Sequence, residues 1–252
     1  MLKIAHIFPI ANQELYRDED YVMILAHLVK KGLYNPAHFR ESQYIIMDNG
    51  LYENEQVSTG LADCIAIAEN SGIPVKEIII PDAANDLEQT QKLFMENLST
   101  VKQYQDKYTF MYVAQANTYE ELAREIDFIN TFSSLNLSVG ISKLTPLDRG
   151  SREAIEIYTR CKLPIHFLGI KKTFSEILPV CELIRGCDTS QIAFASKNGV
   201  ATDIITSKMG DPISYTRNGE DIDLEHDICN STEMGILRIL ISGQLRSYNI
   251  LL

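Results

Sequence analysis

Apolar and β-branched residues gather along this chain into short, nearly unbroken runs at positions 4–10, 44–48, 77–82, 109–115, 137–142 and 165–170. A run that is apolar at every position, rather than at alternate ones, is buried on both faces, as strands of a parallel sheet are. Between the runs the period changes to that of a helix. Leu61, Ile65 and Ala68 follow Ser58, and Leu122, Ile126 and Ile129 follow Thr118. Thr118-Tyr119-Glu120-Glu121 has the form of a capping box, and Thr173-Phe174-Ser175-Glu176 repeats it ahead of Ile177, Val180, Leu183 and Ile184. Each cap falls a few residues past a strand, which is the rhythm of βα units. The rhythm predicts an α/β fold whose parallel strands close into a single (β/α)8 TIM-type barrel rather than an open doubly wound sheet. Around it the pattern predicts an N-terminal elaboration at 11–43 with a helix over 21–31, and a loop-rich insertion at the mouth over 198–230. A final helix over 231–248 carries Met234, Leu237, Ile241 and Leu245 on one face and is expected to close the barrel against the first strand.

Length and composition fit this picture. At 252 residues the chain matches the ~250 typical of one barrel, so 1–252 is read as a single domain. Cys64, Cys161, Cys181, Cys187 and Cys229 are scattered, with no C-x-x-C pair and no Cys/His spacing suited to zinc. They read as reduced thiols, with no metal site expected. The first residues lack a charged segment followed by a long apolar one, and no run approaches the ~18 apolar residues of a membrane span. A cytoplasmic protein away from membranes is the expectation. The net charge of −11 disfavours nonspecific attraction to a polyanion. A local basic patch remains open to it, drawn from Arg149/Arg152, Lys171/Lys172 and Lys197, with Lys143 near the mouth.

Candidate chemistry lies where the runs end. Asp48 and Asp188 each close an apolar strand about 140 residues apart, and in a barrel such ends converge on one mouth. Alone, Asp-Asn-Gly is a common turn and an aspartate after a strand is a common cap. Together the strand ends supply Asp48, Asp82, Gln115, Gly140, Leu168-Gly169 and Asp188, a set suited to a small, flat, polar molecule. Asp82 and Gln115 also admit structural readings, as a cap for a helix starting near Asn85 and as a buried amide. His166, on an apolar strand, reads as a core histidine.

In order and wording these segments resemble the tRNA-guanine transglycosylase family. Asp48-Asn49-Gly50-Leu51-Tyr52-Glu53 is similar to its segment bearing the general acid/base aspartate and a base-stacking aromatic. Val113-Ala114-Gln115-Ala116 and Phe167-Leu168-Gly169-Ile170 are similar to its Val-Gln-Gly and Leu-Met-Gly-Val strands. Gly186-Cys187-Asp188-Thr189-Ser190, followed by Ala195-Ser196-Lys197-Asn198-Gly199, is similar to its nucleophile segment and the turn after it. The resemblance implies that Asp188 is the nucleophile and Asp48 the general acid/base. It implies that Asp82 accepts from the guanine N1–H and 2-amino group, and that Gln115 and the amides near Gly140 and Ile141 meet the O6 edge. Tyr52 and Leu168 would sandwich the ring, Asn49 and Gly169 complete the binding set, and Lys197 would meet phosphate as a point charge. The implied activity is exchange of guanine in a nucleic acid for a free 7-deazaguanine base, with no cofactor and a homodimer left open.

The departures have consequences of their own. Only Cys229 lies beyond Asp188, so the family's zinc-binding subdomain has no counterpart here. The family's double glycine is Gly140-Ile141, and its glutamine is Glu53. Small zinc-free barrels of this kind are similar to virus-type enzymes that place 7-deazaguanines in DNA, so DNA is expected over tRNA. Other readings stay open: an N-glycoside hydrolase or transferase acting on free nucleosides or nucleotides, a non-catalytic binding subunit, and a phosphate-binding metabolic barrel.

Overall fold

A strand buried on both faces needs neighbours on both edges and helices outside them. The computed structural model, which describes residues 2–51, 59–170, 178–198 and 223–237, meets that need with eight parallel strands. They are β1 (Lys3–His6), β2 (Tyr21–Leu25), β3 (Tyr44–Asp48), β4 (Val75–Ile79), β5 (Thr109–Ala114), β6 (Leu137–Ser142), β7 (Ile165–Leu168) and β8 (Ile184–Thr189). Every ladder is parallel, in the order β1-β8-β7-β6-β5-β4-β3-β2. β1 and β2, the two ends of that order, lie side by side without a ladder, so the barrel is nearly closed. The expected α/β barrel is therefore the observed architecture.

Helices α1 (Ala26–Lys30), α2 (Leu61–Asn70), α3 (Leu87–Tyr104), α4 (Tyr119–Asn130) and α5 (Arg152–Tyr158) cover the outside. Leu61, Ile65 and Ala68 are buried on α2, and Leu122, Ile126 and Ile129 on α4, as their spacing predicts. Thr118 caps α4 by accepting from the Glu121 amide at 3.1 Å. Glu121 reaches one residue further back than a capping box requires, to the Asn117 amide at 2.8 Å. Two apolar layers result. A small inner one, including Ala5, Tyr21, Ile46, Ile79 and Met111, fills the barrel, and a larger outer one lies between strands and helices.

One sequence expectation is corrected. Residues 21–31 are not one helix: Tyr21–Leu25 forms β2, and only Ala26–Lys30 is helical. All five residues of β2 are buried, and such a run satisfies a helical stripe and a doubly buried strand equally well. Within positions 11–43, β2 and the helix after it are consequently part of the barrel rather than an addition to it. Residues 231–237 are helical with Met234 and Leu237 buried, and they are tied both to Ser196 of the helix Gln191–Lys197, which donates to Glu233 at 3.2 Å, and to the 3₁₀ stretch Ile10–Asp18. The Asn12 amide donates to the Cys229 carbonyl at 2.8 Å and accepts from the Cys229 N–H at 3.0 Å, and Ser231 donates to Glu14 at 2.7 Å. β1 is joined to the sheet by its ladder with β8, and residues 238–248 of the expected closing helix lie outside the described residues. Ser58, the cap at 173–176, residues 199–222 of the mouth insertion, and Ile241 and Leu245 lie outside the described residues.

Candidate active site

Because all eight strands run the same way, their C-terminal ends open on one mouth. Side chains alternate along a strand, so Asp48 follows inward-facing Ile46 on β3 and Leu168 follows His166 on β7. Asp188, two residues past Gly186, is likewise turned into the barrel near the end of β8. A Cβ at Gly186 would lie 2.9 Å from the Tyr21 ring.

Asp188 is 5% exposed, and its carboxylate is held from two sides. The Gly169 amide donates to both oxygens at 3.0 Å. His166 Nε2 lies 3.1 Å from Oδ1, and the opposite ring nitrogen, Nδ1, lies 2.8 Å from the Tyr21 hydroxyl. Gly169 can present its N–H there because its φ of +64° suits a residue without a Cβ. Its carbonyl is fixed in turn by Arg149, whose guanidinium donates to Gly169 at 2.6 Å, Ile141 at 2.9 Å and Leu168 at 3.2 Å while lying over the Phe167 ring. Arg149 thus ties the ends of β6 and β7 together and sets the loop that holds Asp188.

A second cluster sits beyond β4. Asp82 Oδ1 accepts from Asn49 Nδ2 at 2.9 Å and Oδ2 from Gln115 Nε2 at 2.6 Å, while Gln115 Oε1 accepts from the Asn85 amide at 3.1 Å. Burial pushes the Asp82 carboxyl above the usual carboxylate range, against the pull of those two amides. Helix α3 is capped by Asp86, which accepts from the Gln89 amide at 2.9 Å, so Asp82 is not a cap. Asn49, Asp82 and Gln115 are therefore brought together as one network.

The remaining candidates are distributed more widely. Asp48 ends β3 half-buried and accepts from the Gly50 amide at 2.7 Å. Gly140 faces Leu168 across β6 and β7, where a Cβ would come within 2.8 Å of Leu168 Cδ1. The Ile141 side chain belongs to the outer core. Lys197 pairs with Asp227 at 2.9 Å. Tyr52 lies outside the described residues, as do Lys171 and Lys172. The expected basic patch loses Arg149, which is 2% exposed and spent on carbonyls, while Arg152 is exposed and pairs with Glu156 at 3.0 Å.

Sequence reasoning gave His166 to the core and Arg149 to a basic patch, and it missed Tyr21. A signal for His166 existed: it stands two residues before Leu168, so strand alternation puts both on the face already assigned to the mouth. Tyr21 was hidden by the helix expected over 21–31.

Among the described residues no three His, Cys, Asp or Glu side chains are grouped to hold a metal ion, and no helix is long and apolar enough to cross a membrane. No protein-family model matches the chain, and no curated protein does. Fold and mouth define the class: a parallel α/β barrel with buried, hydrogen-bonded carboxylates at the C-terminal ends of its strands.

Proposed function

We propose that this barrel is a nucleobase transglycosylase that exchanges guanine in a nucleic acid, DNA rather than tRNA, for a 7-deazaguanine base. The observation that carries this reading is Asp188, a buried carboxylate at the mouth kept in place by the Gly169 amide, in a segment whose wording resembles a nucleophile motif. An Asp188 oxygen attacks C1′ as the bond to guanine breaks, and the electron pair leaves with the base. Asp48 gives the departing guanine a proton. It then takes one from the incoming base, whose nitrogen attacks C1′ and frees the Asp188 carboxylate. Asp82 suits the guanine N1–H and 2-amino group, because a carboxylate has about four acceptor sites and the Asn49 and Gln115 amides and its own backbone N–H do not fill them. Gln115 Nε2 has a second N–H for O6, Leu168 covers one face of the ring, and the resemblance gives the other face to Tyr52.

The test is incubation with guanine-containing DNA or tRNA and a labelled 7-deazaguanine. Asp188→Asn is expected to abolish incorporation and any covalent adduct while leaving fold and weak polymer binding intact. Asp48→Asn impairs proton transfer and lets an adduct accumulate if the first step proceeds. An Asp188→Asn protein that still exchanges guanine at near-normal rate overturns the assignment, and turnover of free nucleosides without polymer makes the protein a nucleoside hydrolase or transferase instead.

A further inference from the structure

His166 and Tyr21 have no part in the exchange just described, yet they occupy the space directly beneath the carboxylate that carries it. His166 is fully buried at the middle of β7, and Tyr21 is 3% exposed on β2, almost across the barrel. Few arrangements satisfy both ring nitrogens of a buried histidine, and here each has one partner: Nδ1 the Tyr21 hydroxyl at 2.8 Å, Nε2 the Asp188 carboxylate at 3.1 Å. The roles follow from what each partner can do. An ionised carboxylate only accepts, so Nε2 carries the proton. Nδ1 is then the acceptor in the neutral imidazole, and the Tyr21 hydroxyl donates to it. Burial holds that hydroxyl protonated, well above the ordinary tyrosine range. The residues directly opposite on the neighbouring strands are uncharged, Ala5 of β1 beside Asp188 and Gly140 of β6 beside His166. The fixed charges around the group include Lys3 and Arg185, 5.6 Å and 5.9 Å from the centre of the Tyr21 ring, and Lys143, whose stem lies against Gly169.

We propose that His166, whose Nε2–H meets the carboxylate while its Nδ1 accepts from Tyr21, is the positioning residue of Asp188: it holds one carboxylate oxygen turned down, leaving the other to face the mouth. The role rests on the reading of Asp188 as nucleophile. It has a chemical consequence in both halves of exchange. A donor to the free carboxylate stabilises it before attack on C1′, and again when it departs as the leaving group of the second step. Without His166 the carboxylate would keep only the Gly169 amide, which its two oxygens share.

The experiment pairs a spectroscopic readout with a kinetic one. In the ¹⁵N spectrum of the imidazoles near neutral pH, His166 is expected as the Nε2-protonated tautomer. Tyr21→Phe, which keeps the ring and removes only the hydroxyl, leaves Nε2–H facing Asp188 and is expected to move the Nδ1 resonance to that of an acceptor without its donor. In single-turnover adduct formation His166→Leu is expected to lose roughly 10- to 100-fold, the worth of a hydrogen bond to a charged acceptor. His166→Gln, whose amide N–H reaches where Nε2 stood, restores most of the loss, as a merely space-filling role would not. An Nδ1-protonated His166 in the unaltered protein, a Tyr21→Phe spectrum indistinguishable from it, or a folded His166→Leu protein with undiminished adduct formation overturns the proposal. Failure of the nucleophile reading looks different: the unaltered protein forms no adduct at all while the tautomer stays fixed. If His166→Leu does not fold, Tyr21→Phe decides by the same two measurements.

Discussion

Gly169 acts through its main chain alone. Its N–H holds both oxygens of Asp188, its carbonyl takes the Arg149 guanidinium, and its positive φ is what lets one peptide do both. An alanine there adds the left-handed strain of about 1–2 kcal/mol. Its Cβ would also stand 2.4 Å from Lys143 Cδ, displacing that stem. Gly169→Ala is therefore expected to unfold at lower denaturant by about that energy and to slow adduct formation at Asp188 more than tenfold. A variant with the stability loss but normal adduct formation would separate the turn from the nucleophile. At this scale the sequence is legible where one polar residue ends an apolar run, as with Asp48 and Asp188. It is opaque where a polar residue sits inside such a run: His166 has the surroundings of a core residue, and its partner Tyr21 is 145 positions away.

Elements were readable to the extent that their periodicity admitted one answer. Strands β3 and β6 have the ends expected from their apolar runs, whereas β4 stops at Ile79 and leaves Asp82 in the loop that joins it to Asn49 and Gln115. β2 failed because five buried apolar residues in succession carry no period at all. Helix α4 holds a further feature that its stripe conceals. Glu125 is fully buried against β5, accepting from the Tyr112 hydroxyl and from Gln91 Nε2 at 2.6 Å. Burial pushes its carboxyl up to about 7 from 4.5, more than those hydrogen bonds restrain it. The folded protein therefore holds a proton there that the unfolded chain has lost. This contribution is fully present below about pH 4.5 and is lost as pH rises through about 7, by about 3 kcal/mol in all. Glu125→Gln keeps the shape and removes the titration. Its urea unfolding free energy is expected to lack that decline, leaving it more stable than the unaltered protein near pH 8. Parallel pH profiles for the two proteins would show that Glu125 is ionised throughout.

Across the whole molecule the ring of strands is held by more than its ladders. β1 and β2 lie together without one, and at the opposite end from the mouth a polar floor spans the interior. Arg185 donates to Glu77 at 2.7 Å and to the Tyr44 hydroxyl at 3.2 Å, Ser138 donates to the same glutamate, and the Lys3 ammonium lies 5.6 Å from the Tyr21 and Tyr44 ring centres. The β7–β8 register slips between Ile165 and His166, which opposes an extra residue on β8 and lets Arg185 turn inward ahead of Gly186. None of this is visible along the chain, where Glu77 is the polar edge of an apolar run and Arg185 stands 108 positions away. Conserving the fold without the pair is a matter of which partner is removed. Arg185→Met leaves Glu77, 0% exposed, as an uncompensated buried charge and is expected to cost about 3–5 kcal/mol. Adding Glu77→Gln removes that charge while an amide still meets Ser138, so the double variant is expected to recover most of the loss. Denaturant unfolding of the two single variants and the double gives the coupling directly. Additive losses would mean that the floor is held by packing of Tyr21 and Tyr44 rather than by the ion pair beneath them.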